Sequence, residues 1–193
     1  LELPEIPDRV IILGGGVIGV EFASLWRSFG VDVTIVEALP RLVPNEDEAM
    51  SKGLERAFRK RGIGMRLGSR FASATQTDDS VAVTLEDGTE LAADYLLVAI
   101  GRGPSTSGLG LEEAGVALEG GFVAVNDDLP MDVAGGWGGG DIVRRLQPAH
   151  RLFAQGIFVA ERMSGLPPVA PPQRHLTPHT SIQPPDPLGG GTV

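Results

Sequence analysis

A run of glycines between an aliphatic segment and a helical one restricts this chain more than any other feature. Val10-Ile11-Ile12-Leu13 is aliphatic throughout and reads as a buried strand, and Gly14-Gly15-Gly16-Val17-Ile18-Gly19 follows at once. From Val17 the apolar residues Ile18, Phe22, Leu25 and Phe29 recur at helical spacing as the expected packing face. Gly30 stands where a helix C′ glycine belongs. Val31 to Val36 is a second, β-branched strand, closed by Glu37. Strand, glycine turn, helix, strand and terminal carboxylate form the dinucleotide-binding fingerprint, with Glu37 eighteen residues after Gly19. Gly14 permits the sharp turn, Gly16 admits a pyrophosphate close to the backbone, and Gly19 lets helix and strand pack closely. The helix N-terminus then offers free N–H groups and partial positive charge to the phosphates.

Glu37 decides which dinucleotide. A 2′-phosphate about 4 Å from its carboxylate meets repulsion of about 4 kcal/mol per unit charge at an effective dielectric near 20. A ribose hydroxyl donating to that carboxylate instead gains about 1.5–3 kcal/mol. The opposite signs favour NAD over NADP. Arg41, four residues later, is a cation that works the other way, toward a 2′-phosphate.

The segments that follow continue an α/β pattern. Asn45 with Glu48 reads as an N-cap and a reaching N3 carboxylate. The helix beyond it offers Met50, Leu54, Ala57 and Phe58 for packing and stops near Gly62. Strand–helix–strand–helix order implies a parallel sheet with helical crossovers. Arg70 to Thr77, Val81 to Leu85 and Thr89 to Ala93 then alternate over short runs, with Glu86-Asp87-Gly88 as a hairpin turn. This predicts an antiparallel meander in place of a third helical crossover. Tyr95 to Ile100 reads as a fully buried strand ending at Gly101-Arg102-Gly103-Pro104. A loop runs to about Leu118, a strand is expected at Phe122 to Val125, and a glycine-rich stretch covers Gly135 to Asp141. A helix is expected from Ala149 to Met163, with Phe153, Ile157, Val159 and Ala160 available for packing. From Pro167 onward eight of the chain's fifteen prolines crowd together, which predicts a disordered tail.

Composition excludes several function classes. The net charge of −9 provides no basic stripe for nucleic acid or anionic lipid. No apolar run reaches transmembrane length and no signal peptide opens the chain, so a cytoplasmic location is expected. With no cysteine the chain carries no dithiol and no thiolate metal ligand. His175 and His179 are separated by Pro178, which denies them a shared helix face, and no metal site is expected. No Tyr-x-x-x-Lys pair is present, which disfavours a complete small dehydrogenase.

Several motifs together resemble the flavin-dependent pyridine nucleotide–disulfide oxidoreductases, most of all the dihydrolipoamide dehydrogenase branch. They are Gly14 to Ala23, Val36-Glu37, Pro40-Arg41-Leu42-Val43-Pro44, Val98-Ala99-Ile100-Gly101-Arg102, Gly140-Asp141-Ile142 and Gln147-Pro148-Ala149-His150. The resemblance covers Pro7 to Gly165. It implies that Gly14, Gly15, Gly16, Val17, Ile18, Gly19 and Glu21 form the pyrophosphate loop and its helix, with Glu21 near the nicotinamide end. It implies Glu37 as ribose ligand, Phe71 near the adenine, and Gly101 near the nicotinamide half. It implies Asp141 on the flavin ribityl chain and Ala149 as a backbone contact to the flavin ring. His150 corresponds to a position beside the flavin and not to a catalytic base. The implied organisation is an NAD-binding Rossmann domain at 1–105, and at 106–165 the rest of that domain with the return segment of an incomplete FAD domain. A Pro-rich tail occupies 166–193.

The return segment departs from the family pattern. Met131 and Ala134 stand for a threonine and a proline, and Gly136, Gly138 and Gly139 stand where a strand needs β-formers. Each such glycine costs about 0.5–1 kcal/mol relative to alanine. With the redox cysteines and the family's acid/base domain absent, the chain is expected to bind NAD and to catalyse nothing alone. Its expected partner is a polypeptide that carries the flavin domain. The start at Leu1 and the proline tail lead to the expectation of a partial product, with a frame change as one origin of the tail. The competing reading is a stand-alone, non-catalytic nucleotide-binding or interaction module.

Overall fold

A computed structural model of the chain describes residues 3, 5–126, 129–144 and 149–167, the side chains of 149–151 excepted. The Pro-rich tail beyond Pro167, with His175 and His179, lies outside the described residues, as do Gln147, Pro148 and the His150 side chain. The chain divides into two compact units, the first ending at Gly101 and the second beginning at Arg102.

The first unit is built on a parallel sheet of β1 (Arg9–Leu13), β2 (Asp32–Glu37), β3 (Gly64–Leu67) and β7 (Tyr95–Val98), in the order β3-β2-β1-β7. Helices α1 (Val17–Ser28) and α2 (Glu48–Lys60) are the crossovers. An antiparallel sheet of β4 (Phe71–Gln76), β5 (Val81–Leu85) and β6 (Glu90–Ala93) joins β3 to β7. Strand alternation divides the core in two. Val10, Ile12, Val33 and Ile35 pack with Val20, Ala23, Trp26, Leu54 and Phe58 of the helices. Ile11, Leu13 and Val36 pack with Val81, Val83, Leu85 and Ala93 of the meander. The aliphatic runs of β1 and β2 carry few polar residues because both faces of these strands are covered.

Local details correct several expectations. The buried face of α1 is Gly19, Val20, Ala23, Ser24 and Trp26, whereas Leu25 is 47% exposed and Phe29 58% exposed. Close packing on the sheet selects Gly19, Val20 and Ala23, with Trp26 and partly buried Phe22 beside them, and turns Leu25 and Phe29 outward. The N-cap of α2 is Asp47, whose carboxylate accepts the Ala49 N–H at 2.7 Å. Asn45 is instead taken up in a turn closed by the Glu46 N–H on the Val43 carbonyl at 2.9 Å. Glu48 pairs with Lys52 one turn along the helix. Strand β3 escaped the sequence reading because four residues with only Met65 and Leu67 as large apolar side chains carry little signal. Strand β7 is not fully buried. It is an edge strand, with Tyr95 37% and Val98 58% exposed, because β1 pairs with it on one side only.

The second unit carries a short hairpin, β8 (Leu118–Glu119) with β9 (Phe122–Val123), a 3-10 turn over Gly140–Ile142, and α3 (Ala149–Met163). Val116, Val123 and Val143 form its small core. The glycine-rich stretch forms no extended strand; Trp137 makes a single bridging pair with Pro130. Helix α3 spans the expected residues but buries Gln155 and Phe158, leaving Phe153 and Ile157 exposed. Among the described residues, no helix is long and apolar enough to cross a membrane.

Candidate functional site

The end of β1 turns through Gly14 at φ +112°, a conformation that L side chains rarely adopt. The Gly14 N–H donates to the Val36 carbonyl at 2.8 Å, so the turn is fastened to β2. A Cβ on Gly14 would lie 2.3 Å from the Ala99 carbonyl oxygen at the end of β7, and one on Gly19 1.9 Å from the Gly14 oxygen. Both glycines are dictated by backbone approaching backbone. Gly15 is buried under Leu42, whose Cδ2 would sit 2.8 Å from an added Cβ.

Gly16 differs from these three. It is the extended N-cap residue of α1, no side chain caps the helix there, and no acidic residue occupies the first turn. A Cβ on Gly16 would meet nothing within 4 Å. The first N–H groups of α1, at Val17 and Ile18, have no acceptor within the helix. The loop thus leaves open space in front of an uncapped helix N-terminus, the electrostatic setting that favours an anion.

Glu37 stands beside that opening. Its Oε2 accepts the Gly15 N–H at 2.6 Å, and its Oε1 accepts the Leu39 N–H at 2.8 Å. An ionised carboxylate has about four lone-pair positions, so acceptor capacity remains for two hydroxyl donors. The segment after Glu37 completes the frame. The Val43 N–H donates to the Gly15 carbonyl at 2.8 Å, and Val43 is held at φ +41°, an outlier for a β-branched residue. Buried Glu55 of α2 supports this segment, accepting the Leu42 N–H at 3.3 Å while pairing with Arg59 at 3.3 Å.

The structure therefore brings Gly14, Gly15, Gly16, Val17, Ile18, Gly19 and Glu37 into one place. Glu21 lies exposed on the second turn of α1. Phe71 opens β4, two residues after Ser69, whose N–H donates to the Glu37 carbonyl at 2.9 Å. Gly101 follows two residues after Ala99, the residue against which Gly14 turns. Asp141, on the exposed 3-10 turn, and Ala149, the first residue of α3, belong to the second unit. Sequence reasoning overlooked Leu39, Leu42 and Val43 as the scaffold of the glycine loop. They act through backbone bonds and one buried side chain, which no spacing rule encodes.

Comparison with known proteins agrees with this geometry. The family model described as pyridine nucleotide-disulphide oxidoreductase matches residues 1–156. The chain is 42% identical over 165 residues to a dihydrolipoyl dehydrogenase of Mycobacterium leprae, covering 83% of this chain and 35% of that protein. It is 38% identical over 172 residues to dihydrolipoyl dehydrogenase 3 of Pseudomonas putida, covering 86% and 37%. Among solved structures it is similar to the HOCl-induced flavoprotein disulfide reductase RclA of Escherichia coli. The TM-score is 0.84 at 33% identity, over 93% of this chain and 41% of that one. LpdA of Mycobacterium tuberculosis gives a TM-score of 0.78 at 33% identity, over 87% and 37%. The chain spans about a third of the length of the curated relatives it matches. With the glycine turn, the β3-β2-β1-β7 sheet and the meander crossover all in place, the chain belongs to the pyridine nucleotide-disulphide oxidoreductase family.

Proposed function

We propose that this chain is the NAD-binding portion of a dihydrolipoyl dehydrogenase-like flavoprotein. The observation that carries the reading is Gly16: an uncapped helix N-terminus with open space before it, and a carboxylate locked alongside at Glu37. In this reading the N–H groups of Gly16, Val17 and Ile18 take the pyrophosphate, with Gly14, Gly15 and Gly19 shaping the loop that presents them. Glu37 accepts the adenosine ribose hydroxyls and repels a 2′-phosphate. Phe71 lies toward the adenine, and Glu21 and Gly101 toward the nicotinamide. When bound, NAD supplies the hydride-accepting ring, and the residues named here bind and orient it without exchanging protons with it.

Residues 1–105 are then the NAD-binding domain, and 106–165 contain the return segment of a flavin domain. Asp141 and Ala149 are its flavin-facing residues. Asp141 fits FAD as part of a site, since its exposed carboxylate on the 3-10 turn can accept hydroxyls of a large ligand. Without cysteine the chain has no dithiol to deliver electrons to a flavin. On this reading this stretch turns nothing over by itself, acts in the cytoplasm, and works with a flavin domain, for which a flavin-domain polypeptide is the proposed partner.

Calorimetric titration tests the core of the reading. Saturable binding of NAD with much weaker binding of NADP is expected, and equal affinities would overturn the role of Glu37. Dihydrolipoamide turnover by the purified chain would overturn its inactivity. Co-purification with a flavin-domain polypeptide tests the partner.

A further inference from the structure

Two described polar side chains of the second unit are buried: Thr106, whose hydroxyl donates to the Gly121 carbonyl at 2.6 Å, and Gln155, whose burial the NAD site does not explain. Gln155 of α3 is 1% exposed, and its Oε1 accepts the Gly140 N–H at 3.0 Å. Its Nε2 has no hydrogen-bond partner among the described residues. A buried amide that uses only half of its capacity is unfavourable unless the bond it does make decides something. Leucine or methionine would fill the same space without an unpaired donor.

The bond ends on the residue that starts the Gly140–Ile142 turn. Its preceding residue, Gly139, is extended and provides no side-chain cap. The Gly140 N–H precedes any acceptor the turn itself can offer, so a cap must come from elsewhere. Gly140 takes φ +84°, where an unfastened glycine samples many conformations. The turn closes with the Val143 N–H on the Gly140 carbonyl at 3.3 Å, and Val143 is fully buried. Gly140 is thus fastened through its N–H to Gln155 and through its carbonyl to the buried valine, with Asp141 the next residue of the turn.

We propose that Gln155 is a positioning residue: through its Oε1 it caps Gly140 and sets the orientation of the turn that presents Asp141. The assignment of Asp141 to a flavin rests on the functional reading above. The capping role does not.

The test uses the whole chain and amide hydrogen exchange followed by NMR. In Gln155→Leu the Gly140 amide should exchange at least about tenfold faster, as loss of one protecting bond of about 1.4 kcal/mol requires. The amides of Ala124 and Gly138, bonded to Ala117 and Leu129, should keep their protection. Gln155→Glu keeps a carboxyl oxygen as acceptor for the Gly140 N–H, so it should restore protection at Gly140, most fully at low pH where no charge is buried. Equal protection of Gly140 in the wild type and Gln155→Leu would overturn the proposal. So would a Gln155→Glu chain that loses Gly140 protection while Ala124 and Gly138 retain theirs. Should a variant unfold the unit, the unaltered chain decides: a trans-hydrogen-bond coupling between the Gly140 nitrogen and the Gln155 carboxamide carbon supports the cap, and its absence overturns it. A parallel FAD titration reads the other premise. Failure of the wild type to bind FAD, with the exchange results as expected, counts against the flavin reading and leaves the cap standing.

Discussion

Glu37 and Gly15, twenty-two residues apart, are joined by a 2.6 Å hydrogen bond from the loop amide to the carboxylate. The residue read from sequence as a ribose ligand is a strut for the glycine loop. Its second oxygen holds the Leu39 N–H at 2.8 Å, so one carboxylate fastens both the loop and the chain leaving β2. Preorganising the loop lowers the ordering entropy that a nucleotide must otherwise overcome.

Replacing Glu37 by alanine should therefore act twice. Loss of charge-assisted bonds worth about 1.5–3 kcal/mol lowers NAD affinity by about ten- to hundredfold. The preference for NAD over NADP should narrow as well, because the repulsive carboxylate is gone. Calorimetry with both nucleotides measures each effect, and an unchanged NAD/NADP ratio would contradict the assignment.

The loop glycines should separate cleanly under substitution by alanine. Gly19→Ala drives a Cβ into the Gly14 carbonyl and should destabilise the fold by about 1–3 kcal/mol or more. Gly16→Ala meets open space at a negative φ, so stability should stay level or rise by up to about 1 kcal/mol. The same Gly16→Ala variant should lose NAD binding, since its methyl group occupies the approach of the pyrophosphate. Denaturant melts beside NAD titrations distinguish the two glycines.

Asp94 should make the first unit acid-sensitive. The Arg9 backbone N–H at 2.8 Å, with help from the Arg9 guanidinium and the Asp8 amide, holds its carboxyl below the usual range. A carboxyl lowered in the folded state contributes stability above its unfolded pKa and loses it as pH falls through the folded value. Asp94→Asn should reduce stability near neutral pH by no more than about 1 kcal/mol, because these bonds lie at the solvent-exposed surface. That difference should shrink as pH drops below about 4, the unperturbed aspartate value. Urea melts across pH would show the two curves converging, and parallel curves would contradict the linkage.

Helix α1 offers a test of its orientation. Ala23, fully buried against the sheet, should not accept leucine without about 1–3 kcal/mol of overpacking. Leu25→Gln, on the exposed face, should change stability by no more than about 0.5 kcal/mol.

The geometry of the loop was legible in sequence because it depends on local backbone demands. Gly14 to Gly19 and Glu37 stand out by residue type and spacing alone, and so do the Gly88 hairpin and the bounds of α3. Less legible were features that depend on which surface meets which. Spacing grouped Ile18, Phe22, Leu25 and Phe29 as the packing face of α1; Phe22 does pack on the core, yet close approach to the sheet chose Gly19, Val20 and Ala23 and left Leu25 and Phe29 exposed. Apolar composition made Tyr95 to Ile100 look central, yet strand order left β7 at an edge.

By itself the sequence determined that a tight glycine turn lies between β1 and α1 with a carboxylate at the end of β2. Residues adjacent along the chain fix such a turn through φ, ψ and the absence of a Cβ. Only the tertiary structure decided that Glu37 holds the loop it serves, that Leu39, Leu42 and Val43 brace it, and that Gln155 caps the Asp141 turn. Those contacts join residues many positions apart, and their hydrogen bonds form only when packing has brought the backbones within reach.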